Sequence, residues 1–467
     1  MPHPNLVRQC LRVLLITTAL LTACGTPAST PAEPADTALS DSTTATTADA
    51  SPDIPPPFHA PTCDPKRTPI VFAHGFLAAS DTWSTQFQRL VENGCCPNRL
   101  FVFDWNTLGQ SETAQRVADL DAFIDGVTQT TGSPQVDLVG HSAGGGLGYA
   151  YLSNPDRVKK VRRYAHVASS ANVGPAGPKG EVPTLNLWSD GDLVASAGDI
   201  AGATNAMIPG IDHYAVATSE ASFIALWKFL GDGTPPAVSD VRPDDVLTIH
   251  AKALTLGENV AEDGAEVNIW ALNDQGQHAD TTPVFATKLG PDGRLGPFAA
   301  KPGASYAFVT KSKVADKPPI TYFRPPFIRS DALVYLRTLP SPDSLAGALL
   351  SVLPLDDKAT VLIVFSASRA VITGKDSLKV NGIELATPDL AAAKHTAIAF
   401  FVFDENSNGQ SEGTAVPLFQ SFPFLSGVDQ FLPPTASSPI TVTLGGQTVK
   451  VPHQPSKTEG PVVVVFP

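Results

Sequence analysis

The segment Val136 to Leu152, VDLVGHSAGGGLGYAYL, constrains the fold more than any other part of this 467-residue chain. Val136 to Val139 is a short apolar run of the kind that forms a buried strand, and Gly146 to Leu152 opens as a helix. Gly140 and Gly144 stand two residues before and two residues after Ser142. Small residues at those places let a strand and the helix behind it approach closely, and the residue between them then sits on a sharp, strained turn. Composition alone would produce G-x-S-x-G roughly 0.1–0.2 times in a chain of this length. The spacing therefore needs partners elsewhere in the sequence before it carries meaning.

The surrounding pattern supplies a scaffold. Pro69 to Ala73, Arg99 to Trp105, Val161 to Ala168 and Val182 to Trp188 read as further strands. Ser111 to Thr130 has helical periodicity, with Val117, Leu120, Phe123, Ile124 and Val127 on one face, and Glu220 to Leu230 reads as a closing helix. Strands alternating with helices predict a parallel sheet covered on both faces. In such a sheet the loops at the carboxyl ends of the strands gather along one edge. Ser142, the segment PTLNLWSDGDLV with Asp190 and Asp192, and the late Asp212-His213-Tyr214 all fall on that edge, in the order Ser, Asp, His.

Those residue types fit one chemistry. A serine hydroxyl is a poor nucleophile until a base removes its proton. A neutral histidine can do so near neutral pH, and a carboxylate on its other nitrogen fixes the tautomer and stabilises the imidazolium. The tetrahedral oxyanion then needs backbone N–H donors. Ala143 follows the serine, and His74-Gly75 at the end of the first strand offers the N–H of Phe76.

With the His-Gly loop, the G-H-S-A-G turn, the S-D-G-D-L-V loop and the late D-H in this order, the chain from about Pro69 to Leu230 resembles an α/β-hydrolase of the serine lipase and carboxylesterase kind. The resemblance implies Ser142 as nucleophile, His213 as base, and Phe76 and Ala143 as the oxyanion hole. For the acid, alignment on Val182-Pro183 places Ser189 where relatives carry glycine and favours Asp192, with Asp190 as the alternative acid and otherwise a turn-capping residue. The strand segment RYAHVASSANV has no carboxylate to offer instead. No long insertion separates the Val161 strand from the acid loop, so the expected fold is a minimal sheet with little or no cap and an open site. His141 and His74 are read as structural or substrate-lining, His166 as a core histidine. His250, His278, His395 and His453 lie beyond this region without metal-ligand spacing. No metal and no organic cofactor is implied.

After Gly231-Asp232-Gly233-Thr234-Pro235-Pro236 helical periodicity disappears. VLTIHAKAL, GAEVNIWALN, PVFATKLG and ASYAFVTK read as strands between turn signals, and VLIVF, LKVNGIEL, TAIAFFVFD and PVVVVF follow nearer the C-terminus. An all-β sandwich or barrel is expected over 239–340, with 341–467 as a second β-rich module or a continuation of the same domain. The G-A-x-V and P-G-x-x-Y patterns resemble transthyretin-like modules. A minimal hydrolase with a β-rich C-terminal half is similar to two-domain lipases, whose appended domain handles long acyl chains or the lipid surface. A spacer or a polysaccharide-binding module is the alternative. Asp404 to Ser411, DENSNGQS, has the oxygen ligands of half a calcium loop, but Ala415 stands where glutamate is needed, which favours a polar hairpin turn.

The N-terminus carries an address. Arg8 and Arg12 bracket the start of an apolar segment, Leu11 to Leu21, that is too short to span a membrane. The Leu21-Thr22-Ala23-Cys24 ending resembles a bacterial lipobox, which implies cleavage after residue 23 and lipid on Cys24. Thr26 to Pro57 is mostly Thr, Ala, Ser, Pro and Asp with almost no large apolar side chains, so 24–60 reads as a disordered tether reaching ~30–35 Å. A catalytic domain over 61–233 would follow. Cys63, Cys95 and Cys96 remain for an oxidising compartment. The flanking positions favour a Cys63–Cys96 disulfide over Cys63–Cys95. A net charge of −13 argues against nucleic acid as a partner. The expectation is an exported serine ester hydrolase, lipid-anchored to the cell envelope at the outer membrane or cell surface, acting on lipid or other esters as a lipase. A short-chain carboxylesterase or polyester depolymerase is the alternative enzyme, and a surface adhesion lipoprotein with an inactive hydrolase core is the non-enzymatic alternative.

Overall fold

A computed structural model describes residues 62–109, 111–391, 396–422 and 424–467. The segments read as export signal and tether, together with Cys24 and His395, lie outside the described residues. Six parallel strands form the first sheet: β1 (Ile70–Ala73), β2 (Leu100–Phe103), β3 (Val136–His141), β4 (Val161–Val167), β5 (Thr184–Trp188) and β6 (Thr204–Met207), in the spatial order β2-β1-β3-β4-β5-β6. The central strands are buried on both faces, which is why β1 and β3 are nearly continuous apolar runs. Alternate residues feed two cores. Ile70 and Phe72 pack with Trp83, Leu90, Phe223 and Leu226 on one face. Val71 and Leu138 pack with Leu120, Ile124, Leu147 and Tyr151 on the other.

Helices Thr113–Thr131 and Glu220–Leu230 lie where periodicity predicts them. The second is capped by Ser219, whose side chain accepts the N–H of Ser222. β6, with the sequence TNAM, is largely exposed at the sheet edge, so no apolar pattern announces it. No helix connects β4 to β5, so this part of the fold carries no cap there. Cys63 and Cys96 are joined by a disulfide with Cα atoms 4.9 Å apart, and Cys95 is a buried free thiol.

Among the described residues the C-terminal half contributes three further sheets of three, eight and four strands. Leu247–Thr255 lies at the centre of the three-stranded sheet, between Arg294–Ala300 and Asp331–Thr338. Arg294–Ala300 escapes the sequence reading because Gly296 and Pro297 interrupt its alternation; it bulges between Leu295 and Phe298 at an edge, where proline is tolerated. The eight-stranded sheet is continuous across both C-terminal segments, since Ile320–Phe323 and Leu362–Ser366 each pair with Val462–Phe466. One of its faces packs on the three-stranded sheet through Phe308, Tyr322 and Phe401. The other packs on the four-stranded sheet through Phe323, Phe400 and Val464. Asp404 folds its turn by accepting the N–H groups of Asn408 and Gly409 at 3.1 and 2.7 Å.

The two halves dock closely. Leu254, Leu333 and Tyr335 of the three-stranded sheet join the core that contains Phe72 and Trp83. Arg337 reaches Asp81 at 2.6 Å and Lys252 reaches Asp104 at 2.6 Å, each pair mostly buried.

Candidate active site

Loops at the carboxyl edge of the parallel sheet bring most of the sequence-selected residues together. The turn after β3 holds Ser142 at φ 53° and ψ −119°. A residue with a Cβ avoids this region unless its surroundings impose it. Here the Ser142 N–H donates to the Val167 carbonyl at 2.9 Å, and the Ser142 carbonyl accepts the N–H of Gly145 at 2.8 Å. The flanking glycines are required by contact rather than by flexibility. A Cβ on Gly140 would lie 2.4 Å from the Gly144 carbonyl oxygen, and one on Gly144 would lie 2.6 Å from the carbonyl oxygens of Ala73 and His74.

His213, 3 % exposed, packs against His141, the residue before Ser142, with ring centroids 4.9 Å apart. Its Nδ1 donates to Asp192 Oδ2 at 2.7 Å. The other carboxylate oxygen of Asp192 accepts the N–H groups of Val194 and Ala195 at 2.8 and 3.1 Å. Burial pushes the Asp192 carboxyl up, but the bonds from His213, Val194 and Ala195 outweigh it and hold the group below the usual carboxylate range. An ionised acceptor on Nδ1 leaves the lone pair on Nε2. Nε2 is buried and has no hydrogen-bond partner among the described residues.

Asp190 is placed differently. It is exposed, and its Oδ1 accepts the N–H of Gly210 at 2.7 Å. Ser189 donates its hydroxyl to the Ile211 carbonyl at 2.8 Å and accepts the Gly191 N–H at 3.0 Å. A Cβ on Gly191 would lie 2.7 Å from the Gly210 carbonyl carbon. The S-D-G run thus staples the acid loop to the histidine loop, and the glycine-to-serine departure at 189 supplies one of the staples. Asp212 anchors the next turn by accepting the N–H groups of Tyr214 and Ala215 at 3.0 and 3.1 Å.

The loop after β1 is shaped by His74. Its Nε2 accepts the N–H of Trp105 at 3.2 Å, so Nδ1 carries the proton and donates to the Gly75 carbonyl at 2.9 Å. Burial lowers the pKa of this ring and favours the neutral form. In a trans peptide C=O and N–H point in opposite directions. Holding the Gly75 oxygen on the His74 side therefore turns the Phe76 N–H away from it. Gly75 packs against the turn of Ser142, and a Cβ there would lie 3.0 Å from Ser142 Cβ. Neither the Phe76 N–H nor the Ala143 N–H has an acceptor among the described residues.

The remaining histidines divide clearly. His141 donates from Nε2 to the His213 carbonyl at 3.1 Å and meets Trp83 edge-on; burial first, and His213 second, lower its pKa to about 3. It is a neutral prop under the His213 backbone. His166 is satisfied by the Tyr164 hydroxyl and the Ser170 carbonyl, both at 3.0 Å. His278 stacks on Trp270 at 4.1 Å, and His453 bonds the Pro433 carbonyl at 2.6 Å, both in the β-rich half.

Sequence reasoning missed what the β-rich half contributes. The short β4–β5 link leaves the edge bare, which underlies the expectation of an open site. Instead the ring of Phe424 stacks over His213 at 5.9 Å, and the Ala370 N–H donates to Asp212 at 3.1 Å. An apolar cleft of about 790 Å³, solvent at its mouth included, runs away from this point between the two halves. Leu77, Leu108, Leu350, Phe365, Phe401 and Phe424 line it. These are long-range pairings between strand-end residues, and nothing local in the sequence marks them.

Comparison with known proteins agrees with this architecture. Residues 68–176 match the family model for the alpha/beta hydrolase fold, residues 245–341 that for the lipase C-terminal domain, and residues 366–467 a further C-terminal-domain model. The first match takes in Phe76 and Ser142 and ends before Asp192 and His213. Similar solved structures include a bromoperoxidase from Bacillus anthracis, 17% identical, covering 36% of this chain and 93% of its own, with a TM-score of 0.28. A Bacillus licheniformis lipase is 15% identical over 37% of this chain and 96% of its own, with a TM-score of 0.28. Aspergillus fumigatus lipase B is 12% identical over 36% of this chain and 53% of its own, with a TM-score of 0.29. In chain order, then, one segment matches the alpha/beta hydrolase fold, a second the lipase C-terminal domain and a third a further C-terminal domain.

Proposed function

We propose that this protein is an exported, lipid-anchored lipase that hydrolyses carboxylic esters through an acyl-enzyme. The observation that carries the reading is the 2.7 Å bond from His213 to Asp192 beside the strained turn of Ser142, with Nε2 left as a buried free acceptor. In the proposed reaction Ser142 Oγ attacks the ester carbonyl carbon while His213 Nε2 takes the hydroxyl proton. The N–H groups of Phe76 and Ala143 receive the oxyanion. Collapse of the tetrahedral species breaks the carbon–oxygen bond to the alcohol, which leaves with the proton from His213. Water then attacks the acyl-serine, His213 again acting as base, and the acid is released. Asp192 keeps the proton on Nδ1 and offsets the charge of the imidazolium. The apolar cleft beside Leu77 and Phe424 suits an acyl chain, which favours long-chain esters over short ones.

The test is hydrolysis of p-nitrophenyl esters from acetate to palmitate, with Ser142→Ala and a fluorophosphonate probe alongside. A lipase labels at Ser142, prefers the longer chains, and loses activity by a factor of at least ~10⁴ in Ser142→Ala. Turnover restricted to acetate and butyrate would make it a short-chain esterase. A folded protein that neither labels nor turns over would favour an adhesion lipoprotein.

A further inference from the structure

The turn from Thr255 to Ala261 leaves the three-stranded sheet and enters the alpha/beta hydrolase segment beside the loop that carries Phe76. Gly257 and Asn259 both have left-handed backbone there, at φ 79° and 59°. Asparagine tolerates that region better than most residues with a side chain. The turn is closed by its own bonds: the Asn259 N–H donates to the Thr255 carbonyl at 3.0 Å, and the Val260 N–H donates to Thr255 Oγ1 at 3.2 Å. A Cβ on Gly257 would lie 3.0 Å from Leu108 Cδ1, so the turn presses directly on the partner loop.

The Asn259 side chain is the point of engagement. Its Nδ2 donates to the Ala78 carbonyl at 2.9 Å and to the Trp105 carbonyl at 3.0 Å, and it also lies 3.3 Å from His74 Nε2. Ala78 ends the Phe76 loop, and Trp105 belongs to the loop after β2. Trp105 in turn grips His74 twice, with its backbone N–H on Nε2 at 3.2 Å and its indole N–H on the His74 carbonyl at 3.1 Å. His74 is the residue that orients the Gly75–Phe76 peptide. One carboxamide from the β-rich half therefore clamps together the two loops that aim the Phe76 N–H. A second brace lies alongside, where Asp104 accepts the Ser80 N–H at 3.2 Å and bonds Lys252 and Tyr335 of the same half.

We infer that Asn259 is a positioning residue for the oxyanion loop, so that the β-rich half completes the hydrolytic site for esters of every chain length. The inference rests on the function proposed above. It departs from an appended domain that handles long acyl chains alone.

The test uses the full chain in detergent with two variants. Asn259→Gly keeps the left-handed turn and deletes the amide. Asn259→Asp keeps the shape and replaces the donors with an acceptor. Turnover is normalised to sites titrated to completion with a fluorophosphonate, so that misfolded protein does not count. Loss of a whole oxyanion donor costs roughly 10²–10³-fold in kcat, so partial misplacement of one is expected to cost about 10–100-fold. That loss should appear equally on acetate and palmitate esters, with KM changed by less than about threefold, and trifluoromethyl ketone inhibition should weaken by the same factor. Unchanged kcat per titrated site, or a loss confined to palmitate, would overturn the inference. An inactive, unlabelled wild type would instead sink the functional reading beneath it.

Discussion

At the residue scale the two oxygens of Asp192 have separate tasks. Oδ1 is committed to two backbone N–H groups, and Oδ2 faces His213 Nδ1. In Asp192→Asn the amide oxygen must take the Oδ1 place, because only it can accept those N–H groups. The NH₂ then faces Nδ1, the imidazole proton moves to Nε2, and the base is lost. A fall in kcat of roughly 10⁴-fold at neutral pH is expected on a short ester. Asp190→Asn retains an acceptor for the Gly210 N–H and should change kcat by less than about tenfold. The reverse ranking would assign the acid to Asp190. The candidate nucleophile, acid and Phe76 donor were singled out in the sequence because each follows a strand read there, and the candidate base because the late Asp-His pair precedes the closing helix. The stapling role of Ser189, the bond from Ala370 to Asp212 and any part for Asn259 were not legible, because their partners lie on other loops and their residue types are ordinary for turns.

At the scale of elements, the strand Asp331–Thr338 is docked on the short helix Ser80–Trp83 that follows the Phe76 loop. Arg337 meets Asp81 at 2.6 Å with both side chains less than 15 % exposed. Removing one partner of a buried pair strands the other charge, at a cost of about 3–5 kcal/mol. Arg337→Ala should therefore lower the urea midpoint substantially, while Asp81→Asn combined with Arg337→Met should recover most of the loss. Equal midpoints for Arg337→Ala and wild type would mean that water reaches the pair. Element type was readable wherever periodicity was strong, as for Thr113–Thr131 and β3. It failed at β6 and at Arg294–Ala300, the one exposed on an edge and the other broken by Gly296 and Pro297, and Ile320–Phe323 and Asp331–Thr338 went unread as well.

At the scale of the whole molecule, the proposed lipid anchor at Cys24 separates location from chemistry. In a bacterial host the full chain should fractionate with membranes, its first peptide should begin at an acylated Cys24, and Cys24→Ser should release the protein with kcat on acetate esters unchanged. Identical fractionation of the variant would remove the anchor reading. The sequence by itself determined the sheet of parallel strands, the edge on which the reactive residues gather, and their order, because apolar periodicity and turn glycines are local consequences of burial and backbone sterics. Only the tertiary structure decided that the β-rich half closes over that edge. Phe424 on His213, Ala370 on Asp212 and Asn259 between the Ala78 and Trp105 carbonyls join residues more than 150 positions apart. Contacts of that kind are chosen by the fit of two folded surfaces, which no window of sequence contains.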